Sequence, residues 1–241
     1  MIWYKTIKGN SSPIIFLHGA GSNHTIWIPY LKQFQRRTVI LIDLPGHGNS
    51  QQVKYESLNQ ATLEVQKVME KENALGAIVI GQSLGAVIAS KLTFSAGRRI
   101  SKIIMIGPFS KGLVKRQWFW ENLATATNAV VSEPKSTKPV QDYADLFNSS
   151  MIKHPYTDLK GTHLHTYALA IKDLLSHSID WPAIKKPCTV IIGTKDSLVS
   201  EKALRTGLIG SRHNLELIPC HHLVVTHAYD FLADKLARSA R

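Results

Sequence analysis

Along the chain, short runs of consecutive apolar residues alternate with longer stretches in which apolar positions recur every three or four residues. The runs are PIIFLHG (residues 13–19), TVILIDLPG (38–46), AIVIGQS (77–83), KIIMIG (102–107), CTVIIGTKD (188–196) and LELIPC (215–220). Each is hydrophobic almost throughout rather than at alternate positions. That is the pattern of strands covered by helices on both faces, and so of a mostly parallel sheet. IWYKTI (2–7) reads as an added edge strand. Between the runs, residues 55–73 place Leu58, Ala61, Thr62, Val65, Val68 and Met69 on one helical stripe. Residues 84–96 form a second helix with Gly97 as its stop, and residues 228–237 a last one.

This alternation predicts an α/β fold of right-handed crossovers, a central sheet with helices on both faces. One segment breaks the rhythm. Residues 109–181 contain no strand-like run and read as several helices, among them VKRQWFWENLATATNAVV, VQDYADLFNSSMIK and LHTYALAIKDLLSH. The Pro- and Ser-rich SEPKSTKP (132–139) connects them as a loop. The expected organisation is a core of residues 1–108 and 182–241, interrupted by a helical insertion at 109–181.

Composition narrows the class. A chain of 241 residues with 44% hydrophobic content can bury one large sheet on both faces. No apolar stretch approaches the roughly 20 residues of a membrane span. MIWYKTIKGN at the start lacks a signal-peptide pattern, so the cytoplasm is the expected location. Cys188 and Cys220 have no metal-ligand or CxxC spacing. At opposite ends of parallel strands they would lie about 15 Å apart, at about 3.3 Å per residue, too far for a disulfide. The net charge of +12 serves either solubility or an acidic partner. Its basic residues are scattered in QRR, GRRISK and SKGLVKR, with no arm suited to nucleic acid.

The chemistry concentrates at GQSLGA. A serine on a sharp strand-to-helix turn needs small neighbours two before, two after and three after it. Gly81, Gly85 and Ala86 supply them around Ser83. Such a turn exposes the hydroxyl at the strand's C-terminal end and points helix N-terminal amides at the reacting centre. A serine needs a base to take its proton and an acid to orient the base. Open parallel sheets place such groups at the C-terminal ends of later strands. Asp196 follows one such strand; His221 and His222 follow the last, with His227 a further candidate base. Nothing in the sequence forms a metal cluster or phosphate loop, so no metal and no cofactor is expected.

The motifs together resemble the α/β-hydrolase fold superfamily, of the serine esterase and carbon–carbon hydrolase type. FLHGAGSN resembles its oxyanion loop, DLPGHGNS its D-x-P-G-x-G-x-S turn, GQSLGA its elbow, and GTKDSLVS with PCHHLVV its acid and base segments. The likeness runs from Phe16 to Val225, and the insertion matches the family's helical cap. It implies Ser83 as nucleophile, Asp196 as acid, His222 as base, and the backbone N–H groups of Ala20 and Leu84 as oxyanion hole. The family usually carries glycine before its histidine, where this chain has His221. His18 is expected to brace the oxyanion loop, and Asp43 and His47 to shape their turn. Phe109 and Trp118 are the candidate pocket residues, with Phe119, Trp120, Tyr143, Phe147 and Tyr167 reading as the cap's own core. A serine nucleophile excludes the aspartate-dependent dehalogenase and epoxide-hydrolase branches. The resemblance leaves a small-molecule carboxylic ester, an acyl group on an acidic acyl carrier protein (as in pimeloyl methyl esterases) and a vinylogous diketone as candidate substrates. A non-catalytic binding protein of the same fold is the remaining alternative.

Overall fold

A computed structural model of the chain describes residues 1–122, 162 and 164–239. Seven strands among these residues form one sheet in the order β1-β3-β2-β4-β5-β6-β7. They are β1 (Tyr4–Ile7), β2 (Ser11–Leu17), β3 (Arg37–Ile42), β4 (Ala77–Gln82), β5 (Ile100–Ile106), β6 (Cys188–Gly193) and β7 (Asn214–Ile218). Only β1, at the edge, is antiparallel. The expected mostly parallel sheet with an added edge strand is the one observed.

The apolar runs are continuous because both faces of the sheet are covered. On one face Ile15, Leu17, Ile40, Ile42, Val79, Ile103 and Met105 share a core with helices α1 (Leu58–Lys71), α2 (Leu84–Ser95) and α3 (Leu164–Ser176). On the other, Ile14, Phe16, Val39, Leu41, Ile80, Ile104 and Ile106 pack under a 3-10 segment, His24–Phe34. The same face meets α5 (Val224–His227) and α6 (Tyr229–Ser239), which follow α4 (Glu201–Gly207) in the chain. Neighbours in a strand thus serve opposite cores, each large side chain contributing about 1.5–3 kcal/mol on burial.

Strand order reverses between β2 and β4. The chain leaves β2 for β3 on one side, then returns to place β4 on the other. Crevices at such reversals, beyond the strands' C-terminal ends, are where open α/β sheets bind ligands. The loops after β2 and β4, carrying His18 to Ala20 and Ser83, both open there.

Helix expectations hold for α1, α2, α3 and α6 within a few residues at their ends. The His24–Phe34 segment has no counterpart in the sequence reading. It contains Pro29 and is capped by the Asn23 side chain, which accepts the Thr25 N–H at 2.9 Å. The short α4, capped by Ser200, was also unforeseen. Of the expected insertion, residues 109–122, 162 and 164–181 are described; Tyr143 and Phe147 lie outside the described residues. Asp173 of α3 accepts hydrogen bonds from the Tyr55 hydroxyl (3.2 Å) and the Leu58 N–H (3.0 Å), fastening α3 to the start of α1. Cys188 and Cys220 are both free and buried, as expected. No helix among the described residues is long and apolar enough to cross a membrane.

The tightest approach is between α2 and β2. A Cβ on Gly85 would stand 2.4 Å from the Leu17 carbonyl oxygen and 2.7 Å from that of His18. Both obstacles are backbone. We expect Gly85→Ala to lose about 1–3 kcal/mol or more, a fall of about 2–4 °C in melting temperature per kcal/mol. Gly97→Ala, where an added Cβ meets nothing within 4 Å, should melt near the wild type. Equal melting temperatures for the two variants in calorimetry would refute this packing account.

Candidate active site

Ser83 stands between the end of β4 and the start of α2 with φ +48° and ψ −107°. A non-glycine residue in this region is strained, and strain of this kind persists only when its surroundings enforce it. Enforcement comes from both sides. The Ser83 N–H donates to the Ile106 carbonyl at 2.9 Å, and Ser83's own carbonyl accepts the N–H groups of Ala86 (3.1 Å) and Val87 (3.2 Å). A Cβ on Gly81 would lie 2.2 Å from the Gly85 carbonyl oxygen, so strand and helix cross at backbone contact. The spacing of small residues read from the sequence has this crossing as its cause. Leu84, as the first residue of α2, has no carbonyl within its own helix to bond, and its N–H is directed at the helix's N-terminal end.

Asp196 and His222 form a buried pair, 3% and 8% exposed. The His222 Nδ1–H donates to Asp196 Oδ2 at 2.9 Å. Asp196 Oδ1 accepts the N–H groups of Leu198 and Val199, each at 2.8 Å. Burial by itself would raise the Asp196 pKa. The hydrogen bond and charge of His222, with the two backbone donors, outweigh it and hold the carboxyl below its ordinary range. With its Nδ1 committed to the carboxylate, His222 presents Nε2 as a proton acceptor. His221 is exposed, its Nδ1 3.3 Å from the Lys195 carbonyl. His227 lies in α5 beside Thr226. Of the three candidate bases, only His222 meets the acid in the contacts among the described residues.

His18 is fully buried. Its Nε2 accepts the Leu44 N–H at 2.9 Å, and its Nδ1 lies 2.8 Å from the Gly19 carbonyl. The side chain therefore joins the loop carrying Ala20 to the DLPG turn. Asp43 organises that turn. It accepts the His24 N–H (2.7 Å), His24 Nδ1 (2.9 Å) and the Asn49 N–H (2.9 Å). Burial opposes its charge, but His24, then the nearby His18, then these amides hold its pKa down. His47 is pushed down to about 3, first by burial and then by repulsion from His18, so it is neutral. His24 was not singled out by sequence, and only its placement against Asp43 reveals its role.

Phe109, 2% exposed, meets the His222 ring edge-on with centroids 6.4 Å apart. From it a row of edge contacts runs outward, to Trp120 (5.6 Å), Phe119 (5.6 Å) and Trp118 (6.2 Å). Trp118 ends the row 66% exposed. Trp120 and Tyr167 are partly buried against the core. Among the described residues no group of three or more His, Cys, Asp or Glu could hold a metal ion.

Comparison with known proteins agrees with this architecture. The profile of the "Alpha/beta hydrolase family" matches residues 14–235. A pimeloyl-[acyl-carrier protein] methyl ester esterase of Vibrio campbellii is 32% identical over 112 residues, covering 46% of this chain and 42% of that one. The matched stretch thus spans less than half of that relative. Among solved structures, a hydrolase from Oleispira antarctica superposes with a TM-score of 0.81 at 19% identity, over 98% of this chain and 93% of that one. An enol-lactonase from Burkholderia xenovorans LB400 gives 0.77 at 17%, over 98% and 95%. At these identities the two structures speak for the fold alone.

Asp43 and Asp196 both carry folded-state pKa values below the ordinary one. Each therefore contributes stability that is complete above the unfolded carboxylate pKa of about 4 and is lost as pH falls through the folded value. Denaturant midpoints should decline as pH falls below about 6.5, where the unfolded His47 takes up a proton that the buried ring refuses, and further below about 4 as the two carboxylates protonate. Asp43→Asn, less stable at pH 7, should decline less. An unaltered pH profile in both Asp43→Asn and Asp196→Asn would remove the two carboxylates from this account.

Proposed function

The chain belongs to the alpha/beta hydrolase family, and on that premise we propose that it hydrolyses a carboxylic ester with Ser83 as nucleophile, His222 as base and Asp196 as the orienting acid. The observation that carries this reading is the strained turn at Ser83, together with a histidine already oriented by a buried carboxylate. His222 Nε2 takes the Ser83 proton as Oγ attacks the ester carbonyl carbon. The N–H groups of Ala20 and Leu84 receive the oxyanion, each such donor worth about 2.7–4 kcal/mol in the transition state. Collapse breaks the bond to the alkoxy oxygen, and His222 protonates the departing alcohol. Water then attacks the acyl-enzyme, giving up its proton to His222, and the carboxylic acid leaves as Ser83 is restored.

In this reading residues 109–181 form a cap over a core of residues 1–108 and 182–241. The aromatic row from Phe109 to Trp118 supplies an apolar wall that leads from the base to the surface. It suits the hydrocarbon part of an acyl or alkoxy group. A second reading has a specific observation in its favour. Lys111, Arg116 and Lys195 are exposed on the segments flanking the site, and the Lys115 ammonium sits 2.6 Å from the Asp196 carbonyl. Together with the +12 charge, this suits an acyl group delivered on an acidic carrier protein, the substrate class named for the Vibrio campbellii relative.

Ser83→Ala should lower turnover of short p-nitrophenyl esters by about 10⁴-fold or more with an unchanged melting temperature. His222→Ala should do the same, while His221→Ala and His227→Ala stay active. An active Ser83→Ala would end the nucleophile assignment. For the carrier reading, kcat/KM on a carrier-borne ester should fall as salt rises from about 0.01 to 0.15 M, where the Debye length shrinks from about 30 to 8 Å. The small ester should respond little. Identical salt responses for the two substrates would count against the carrier.

A further inference from the structure

The corner after β5 carries no carboxylate, only Gly107, Pro108 and Phe109. Gly107 has φ +53°, in the left-handed region where a side chain is disfavoured. A Cβ built there would stand 3.0 Å from Cε1 of His222, 3.3 Å from Nδ1 and 3.7 Å from Nε2. The imidazole thus rests on the bare backbone of this residue. The peptide that precedes it is tied to the turn of the serine and to the strand that leads to the acid. Ile106 accepts the N–H of Ser83 at 2.9 Å, and Gly107 donates its N–H to Ile191 at 2.8 Å. Ile191 belongs to β6, the strand that leads into Asp196. One peptide unit is therefore anchored to the strand of the acid, braces the turn of the serine and bears the ring of the base.

We infer that Gly107 is a positioning residue for His222, the missing side chain being what lets the imidazole settle at its height between the acid's strand and the serine's turn. The inference rests on the reading of His222 as the base. A methyl group at 3.0 Å from a ring carbon forces the ring to yield, and the ring is pinned at Nδ1 by Asp196, so it tilts about that hydrogen bond. Such a tilt moves Nε2 while leaving the apolar wall in place. The effect belongs in kcat, with KM little changed.

Two variants separate the seat from simple backbone strain. Gly107→Ala adds both a Cβ and strain. Gly107→Asn adds the Cβ but suits the left-handed region better. Gly210→Ala is the strain control, since φ there is +73° and an added Cβ meets nothing within 4 Å. With a p-nitrophenyl ester, Gly107→Ala and Gly107→Asn should each lose about 10²-fold in kcat, with KM within about twofold. Labelling of Ser83 by a fluorophosphonate probe should slow in parallel, and Gly210→Ala should keep its kcat. In a His222→Ala background, Gly107→Asn should cost nothing further, because the residue acts through the ring. A folded Gly107→Asn with wild-type kcat, or a further 10²-fold loss in the His222→Ala background, would overturn the inference while leaving the triad standing. Full activity in His222→Ala alone would instead end the base assignment, and the seat with it.

Discussion

The site depends on a steric constraint rather than on any one polar contact: β4, α2 and β2 meet at backbone distance. Gly81 faces the Gly85 carbonyl, and Gly85 faces those of Leu17 and His18. No side chain fits between them. The crossing holds Ser83 at a positive φ and brings the loop after β2 against the first turn of α2, where Gly85 donates to His18 at 3.1 Å. Proposed nucleophile and proposed oxyanion donors are thus set by the same close approach. The two buried faces of the sheet supply the rigidity that keeps the strain from relaxing.

Around this crossing, charge is arranged in depth. Asp43 sits under the DLPG turn and Asp196 under His222, each held ionised by histidine and backbone donors against the cost of burial. His18 and His47 stay close, with ring centroids 5.2 Å apart, and His47 is kept neutral by burial and by that neighbour. His18 meets the Leu44 N–H with one ring nitrogen and the Gly19 carbonyl with the other. The loop carrying Ala20 is therefore fastened by a side chain engaged at both ring nitrogens.

Much of this was legible in the sequence because its causes are local. Continuous apolar runs reported the doubly covered sheet, and the small residues around Ser83 reported the crossing. Asp196 and His222 were readable because each directly follows a strand. The 3-10 segment at His24–Phe34 was not: Ile26, Trp27, Tyr30 and Phe34 do recur at helical spacing, but Pro29 sits in the middle of the run, where it argues against a helix. His24 and Gly107 were unreadable for a different reason. Their meaning lies in a partner brought from elsewhere in the chain, Asp43 in one case and the His222 ring in the other. Trp118 shows the converse: an aromatic residue in a helical stretch says little about exposure until its neighbours are placed.

The segment leading out of the core is stitched to the loop of the acid. Lys115 N–H donates to Leu198 (2.7 Å), Ser200 N–H to Leu113 (2.8 Å), Val114 bridges Val199, and the Lys115 ammonium reaches the Asp196 carbonyl. This stitching bears on how such a protein diversifies. Residues up to 116 are shared with the frame of the proposed acid, and α3 is fastened to the start of α1, so an exchange of the stretch between them has to leave both anchors in place. A graft that moved the junction earlier would import a foreign edge against Asp196. The boundary for recombining specificities between relatives is accordingly set by these hydrogen bonds, inside the insertion rather than where the sheet ends.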